Sequence, residues 1–160
     1  MKKILINKCL WYLIATGFGS GLLSKVFPGT LGSIVAIMLW LFIVNISRLV
    51  LWIFIIIGFC IGCMICQQKY NKIKVYDHGS IVWDEFIGMW VTLMAIPCVN
   101  IKWLFIAFFI FRLFDILKPW PIYIFDKNIN GGFNVMIDDI IAAIFSYIII
   151  CVISFIKRDF

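Results

Sequence analysis

The sequence predicts an all-α fold, a multi-pass membrane helical bundle of about four to six helices. Two observations lead there. Apolar residues make up 64% of the 160 positions and the mean hydropathy is +1.10, against roughly 45–50% apolar in soluble domains. These residues also fall into five long apolar stretches joined by short polar connections. The length fits one domain, residues 1–160.

Taken in order, Lys2, Lys3 and Lys8 face anionic headgroups. Cys9–Leu23 is broken by Gly17, Gly19 and Gly21 and reads as an interfacial or re-entrant segment, retained because no A-x-A-like cleavage site follows. The five stretches are Leu31–Ile46, Leu49–Cys66, Ile81–Pro97, Trp103–Leu117 and Val135–Ile156. A span needs about 20 residues, so the second and fifth are comfortable and the others marginal. Asn45-Ile46-Ser47-Arg48 and Pro97-Cys98-Val99-Asn100 are tight connections, which gives two helical hairpins and a final helix. Pro119 disfavours helical geometry at Lys118, so the fourth helix should stop there. Cys60, Cys63 and Cys66 mimic part of an iron–sulfur run but lack its fourth cysteine and proline. Beside Gly58 and Gly62 they read as small residues on a packing face.

With the N-terminus cytoplasmic, Lys2, Lys3, Lys8, Lys25, Lys69, Lys72, Lys74, Lys118 and Lys127 lie inside and Arg48, Lys102, Lys157 and Arg158 outside, the asymmetry expected of a membrane protein. This topology also brings the acidic residues to one side. Seven of the eight acids lie between Asp77 and Asp139. Asp84 and Glu85 open the third helix, Asp115 closes the fourth, and Asp138 and Asp139 open the fifth. Trp11, Trp83 and Trp120 join the same layer as interfacial tryptophans.

Carboxylates near hydrocarbon are costly, and the adjacent pairs Asp84-Glu85 and Asp138-Asp139 repel unless a cation lies between them. A shared divalent metal answers both problems. Around it stand Asp77, Gly88 one turn beyond Asp84, and the segment Phe111-Arg112-Leu113-Phe114-Asp115-Ile116-Leu117-Lys118. There Arg112 and Asp115 either pair simply at i, i+3 or place a cationic clamp for phosphate beside a carboxylate. Ala142 and Ala143, one turn below the last acids, permit close helix contact. Pro28-Gly29-Thr30 precedes the first full helix, where Thr30 is a candidate N-cap and the free N–H groups suit a phosphate. His78, the single histidine, fits a supporting place better than a catalytic one.

Absences narrow the chemistry. No C-x5-R cysteine-phosphatase motif, no D-x-D and no second histidine for a phosphohistidine route occur. The basic residues are too scattered for a nucleic-acid footprint. Oxygen ligands with a phosphate substrate are the setting Mg²⁺ prefers.

Gly17-Phe18-Gly19-Ser20-Gly21, Pro28-Gly29-Thr30, Asp77 with Ile81-Val82-x-Asp84-Glu85-x-x-Gly88, Phe111-Arg112-x-Phe114-Asp115-x-x-Lys118-Pro119-x-Pro121, and Gly131-Gly132 through Asp138-Asp139 together resemble the phosphatidylglycerophosphatase A family. The resemblance runs from about Thr16 to Ala143, with Asn134 and Ala143 where the family has glycine. It implies a Mg²⁺-dependent enzyme of the bacterial cytoplasmic (inner) membrane that removes the terminal phosphate of phosphatidylglycerophosphate. It also implies an all-helical fold shared with soluble relatives. On that basis Asp77, Asp84, Glu85, Asp138 and Asp139 are expected to hold metal. Asp84, Asp115 and Asp138 are expected to act catalytically, Asp115 on water. Arg112, Lys118, Thr30 and Gly29 are expected to bind phosphate, at the cytoplasmic face. Membrane lipids are the expected surroundings, and homo-oligomerisation is left open. Two other readings are a transporter using intramembrane acids and a structural membrane subunit; the first predicts acids spread through membrane depth.

Overall fold

A computed structural model describes residues 11–24, 26–70, 80–120, 122–123 and 132–157, and no strand occurs among them. Five helices carry the fold: α1 (Pro28–Ile43), α2 (Arg48–Tyr70), α3 (Trp83–Leu93), α4 (Ile101–Leu117) and α5 (Gly132–Ile156). They correspond in order to the five apolar stretches. Proline, whose missing N–H costs nothing in a first turn, opens α1. The Asn100 side chain caps α4 by accepting from Trp103 N. That helix ends as expected at Lys118, which is left-handed at φ 41°. Thr30 is no cap: α1 begins two residues earlier, at Pro28, with Phe27 at the cap position.

The lengths sort the helices by task. Only α2, through residues Arg48–Gln67, and α5 are long and apolar enough to cross a membrane; α1 is a shorter apolar helix. Just 33% and 28% of those two apolar windows are buried. Their outward faces carry side chains such as Phe54 and Phe155, as α1 carries Phe42 and α4 carries Phe105. A helix in the heart of a water-soluble protein would bury such residues, and hydrocarbon removes the penalty for showing them.

Helix α3 differs from the spanning segment expected over Ile81–Pro97. Its 11 residues rise about 16 Å, half the thickness of a hydrocarbon core. Trp83, Phe86, Ile87, Met89, Val91 and Leu93 are all buried, on every side of the helix. The other four helices enclose it, with α5 also packed on α2 and α4. The stretch was apolar because it is the core of the bundle.

Small residues allow the close approach. Gly58 and Gly62 of α2 face Ile87, Trp83 and Met136, and Ala142 and Ala143 of α5 are fully buried. Of the cysteines on that face of α2, Cys66 is buried and Cys63 half-buried, but Cys60 points outward. Trp83 is not interfacial either. It is 7% exposed and its Nε1 donates to Gly58 O at 2.9 Å, as Trp90 Nε1 does to Ala36 O at 2.9 Å. The buried hydroxyls of Ser33, Thr92 and Ser146 donate to carbonyls one turn back, so they cost the core little.

Ahead of α1 the chain is helical over residues 11–15, then turns through left-handed Gly17, Phe18 and Gly19 into a 3-10 turn at Ser20–Leu22. This is the glycine-broken segment anticipated over Cys9–Leu23, seen from Trp11 onward. It is tied to the start of α3 by Val82 N donating to Ala15 O at 3.0 Å.

Gly132, the first residue of α5, lies against the backbone of Cys63 and Gln67, where a Cβ would meet main-chain atoms that cannot yield. Gly132→Ala should therefore destabilise the protein by about 1–3 kcal/mol despite alanine's better helix propensity. A thermal unfolding midpoint in detergent equal to wild type would contradict this.

Candidate active site

Alternating helix directions bring one end of every helix together, and the polar residues collect there. Asp84 and Glu85 lie in the first turn of α3, where carboxylates also favour the helix dipole. Arg112 and Asp115 lie in the last turns of α4, with Lys118 at its cap, and Asp138 and Asp139 follow two turns into α5. Gly29 and Thr30 come from the start of α1. Gly88 lets the elements close: its α-carbon faces the Phe111 ring, and a Cβ there would sit 3.2 Å from Asp139 O. Gly29 does the same for the acids, since any side chain would strike the Glu85 carboxylate and crowd Arg112 Nη1.

The charges divide into two groups. Arg112 pairs with Asp115 across one helical turn, and Lys118 with Asp138 across two helices. Asp84, Glu85 and Asp139 are left, each offering a carboxylate oxygen within 4.8 Å of the others. Asp84 is 9% exposed and Asp139 5%. Glu85 Oε2, Asp139 Oδ2 and Arg112 Nε are buried and lack a hydrogen-bond partner. Burial pushes the Glu85 carboxyl well above its ordinary value of 4.5, and Asp84 and Asp115 push it the same way.

Such a cluster is short of positive charge, and its donors suit a hard cation. Oxygen ligands of an octahedral Mg²⁺, held at about 2.1 Å, lie about 3–4 Å apart, a spacing three oxygens this close can meet. Glu85 Oε2 and Asp139 Oδ2, buried and without hydrogen-bond partners, are donors such an ion could take.

Of the residues singled out in the sequence, Asp84, Glu85 and Asp139 form the cluster. Asp138 turns to Lys118 and Asp115 to Arg112, both at its border. Gly29 touches it, and Thr30 is half-buried nearby. Asp77 and His78 lie outside the described residues. Of the two readings weighed for Arg112, the ion pair with Asp115 is seen through Nη1, while its Nε is buried and pairs with nothing. Gln67 carried no signal in the sequence. Its Oε1 accepts from Gly132 N at 2.7 Å and so ties the helix bearing Asp138 and Asp139 to α2. A partner 65 residues away leaves no local pattern.

Fold and site together define an all-helical protein with apolar outer faces and a carboxylate centre at one end, flanked by two cationic side chains. More narrowly, the chain belongs to the phosphatidylglycerophosphatase A family, whose model matches residues 13–154. It is 49% identical over 136 residues to the Escherichia coli phosphatidylglycerophosphatase A, covering 85% of this chain and 78% of that one. With the Haemophilus influenzae phosphatidylglycerophosphatase A it shares 43% over 157 residues, covering 97% and 94%. A Bacteroides thetaiotaomicron protein, 36% identical over 148 residues and covering 88% and 91%, carries a name that provisionally makes it a phosphatidylinositol-3-phosphatase. No solved structure matches the chain.

A carboxyl whose pKa rises on folding holds its proton more tightly folded than unfolded. The metal-free protein should therefore lose stability as pH climbs from 4.5 toward the raised value. Glu85→Gln, which cannot ionise, should flatten that decline. Unfolding midpoints followed against pH in the presence of a chelator check this, and identical slopes for the two proteins would contradict it.

Proposed function

We propose that the chain hydrolyses the terminal phosphomonoester of phosphatidylglycerophosphate, releasing phosphatidylglycerol and inorganic phosphate with the aid of Mg²⁺. The observation that carries the reading is the trio of close carboxylate oxygens from Asp84, Glu85 and Asp139 beside the Arg112 and Lys118 side chains. The names of the Escherichia coli and Haemophilus influenzae relatives supply the substrate.

Asp84, Glu85 and Asp139 would hold the ion, with Asp77 as a further expected ligand. When bound, Mg²⁺ supplies Lewis-acid polarisation of the phosphoryl group. Arg112 can offer the substrate phosphate its unpartnered Nε as well as a shared Nη1, which suits the planar fork of a guanidinium. Lys118 serves as a point charge on a second phosphate oxygen, held on station by Asp138. Asp115, whose carboxyl burial pushes above its ordinary range while Arg112 opposes the rise, is placed to orient and deprotonate the attacking water as the phosphate draws the guanidinium away. Lys118, left-handed at the end of α4, reaches the Asp138 carboxylate on α5 with its amine.

The setting we infer is the bacterial inner membrane with this end of the bundle on the cytoplasmic side. The apolar exteriors of α2 and α5 and the lysine asymmetry read from the sequence support it. Acids gathered in one layer, with none among the described residues at the far end, favour hydrolysis over transport.

Purified protein should release phosphate from phosphatidylglycerophosphate with Mg²⁺ and lose that activity on chelation. Asp84→Asn and Asp139→Asn should each reduce turnover by about 100-fold or more, while Arg112→Lys, which keeps charge but not the fork, should mainly raise KM. Phosphatidylinositol 3-phosphate is the competing substrate to run beside it. Faster turnover of that lipid would reassign the substrate, and full activity in Asp84→Asn would reject the site.

A further inference from the structure

The described residues between Thr16 and Gly29, which meet the carboxylate cluster at Gly29, supply no ligand to it, and their composition is odd for such a place. Phe18, Leu22, Leu23, Val26 and Phe27 are 50–78% exposed. They lie on a loop and a 3-10 turn, so no helix periodicity forces them outward. Phe18 also has φ 57°, between Gly17 at 55° and Gly19 at 89°. The two glycines take this conformation freely, but a phenylalanine does so against its own Cβ, and strain of this kind collects where function needs it. The ring gains only a partial contact in return, its centroid 6.5 Å from that of Phe86.

Both ends of the stretch are fastened to the site. Gly17 rests on Phe86 and Val82, one on α3 and one at its cap, and Gly21 abuts the Ser80 carbonyl. At the other end Gly29 lies against the Glu85 carboxylate and the Arg112 guanidinium. Five apolar side chains are thus held at the rim of a centre built for a phosphate.

We infer that this loop is the acyl-chain docking element of the site: it dips into the lipid leaflet and receives the hydrocarbon of the same molecule whose phosphate reaches Arg112 and Lys118. The inference rests on the phosphatase reading above and adds what selects a membrane lipid over a soluble phosphomonoester. The occupant follows from chemistry on either side of a short gap, cationic groups next to exposed hydrocarbon, which is the pattern of one amphiphile. The loop is a specificity determinant and takes no part in bond breaking.

The test compares two substrates with protein reconstituted in vesicles. One is long-chain phosphatidylglycerophosphate in the bilayer, the other a freely soluble short-chain analogue of it. Phe18→Gly removes the ring and relieves the left-handed strain, so its unfolding midpoint should match or exceed wild type. Leu23→Ser with Phe27→Ser is the second variant and keeps the turn itself unaltered. For each, KM for the bilayer substrate should rise about tenfold, the scale of one large side chain withdrawn from hydrocarbon, with kcat held. Turnover of the soluble analogue should stay within about twofold of wild type. Parallel loss on both substrates would make the loop part of the fold or of a subunit contact and overturn the inference, as would unchanged kinetics on both. Wild-type protein inactive on the soluble analogue and the bilayer lipid alike would instead reject the phosphatase reading itself.

Discussion

Three carboxylates held together without a matching positive charge set the terms for the rest of this structure. Asp84, Glu85 and Asp139 face one another within 4.8 Å, while the two nearby cations already pair with Asp115 and Asp138. Desolvated like charges are among the costliest arrangements a protein can keep, and they persist only where surrounding packing over-determines them. That packing is visible. Gly29 and Gly88 surrender their side chains so that α1, α4 and α5 can press the acids together around the start of α3. The arrangement costs the fold stability and leaves an acidic cluster whose donors suit a hard cation.

The enclosed helix is what makes this workable in a protein with such apolar outer faces. Helix α3 is too short to cross a bilayer and is surrounded by four others, so its acidic N-terminus sits inside the bundle instead of against lipid. Trp83 and Trp90 fix its depth through hydrogen bonds to the carbonyls of Gly58 and Ala36 on two different helices. Those bonds form in a medium where an unmade one is expensive, so the axial position of Asp84 and Glu85 is well defined. The left-handed Gly17-Phe18-Gly19 turn and the Gln67 to Gly132 bond then anchor the flanking segments to the same end.

Family membership and site agree in a specific way. The matched region, residues 13–154, takes in four helices entirely, α5 to within two residues of its end, and every described acid. Identity of 43–49% with two phosphatidylglycerophosphatases A is carried by a chain whose charged residues are few, so the handful at this end of the bundle are the ones available for chemistry. Exposed apolar side chains such as Phe18 and Phe27 lie on the segment beside them.

Much of this was legible in the sequence because hydrocarbon imposes simple rules. Apolar runs gave the five helices and their order, Pro119 gave the end of α4, and the concentration of seven of the eight acids in Asp77–Asp139 pointed to one shared centre. What hydropathy could not separate was burial in lipid from burial in protein, since both read as apolar; so Ile81–Pro97 looked like a span and Trp83 like an interfacial residue. Nor does a list of acids say which will keep its charge unanswered. Pairing of Asp138 with Lys118 and of Asp115 with Arg112, leaving Asp84, Glu85 and Asp139 together, depends on helix rotation and on contacts between residues far apart in the chain. Local sequence determined that a charged centre would exist at one end of a helical bundle. Only the tertiary structure decided its membership, because that is fixed by which helix faces meet.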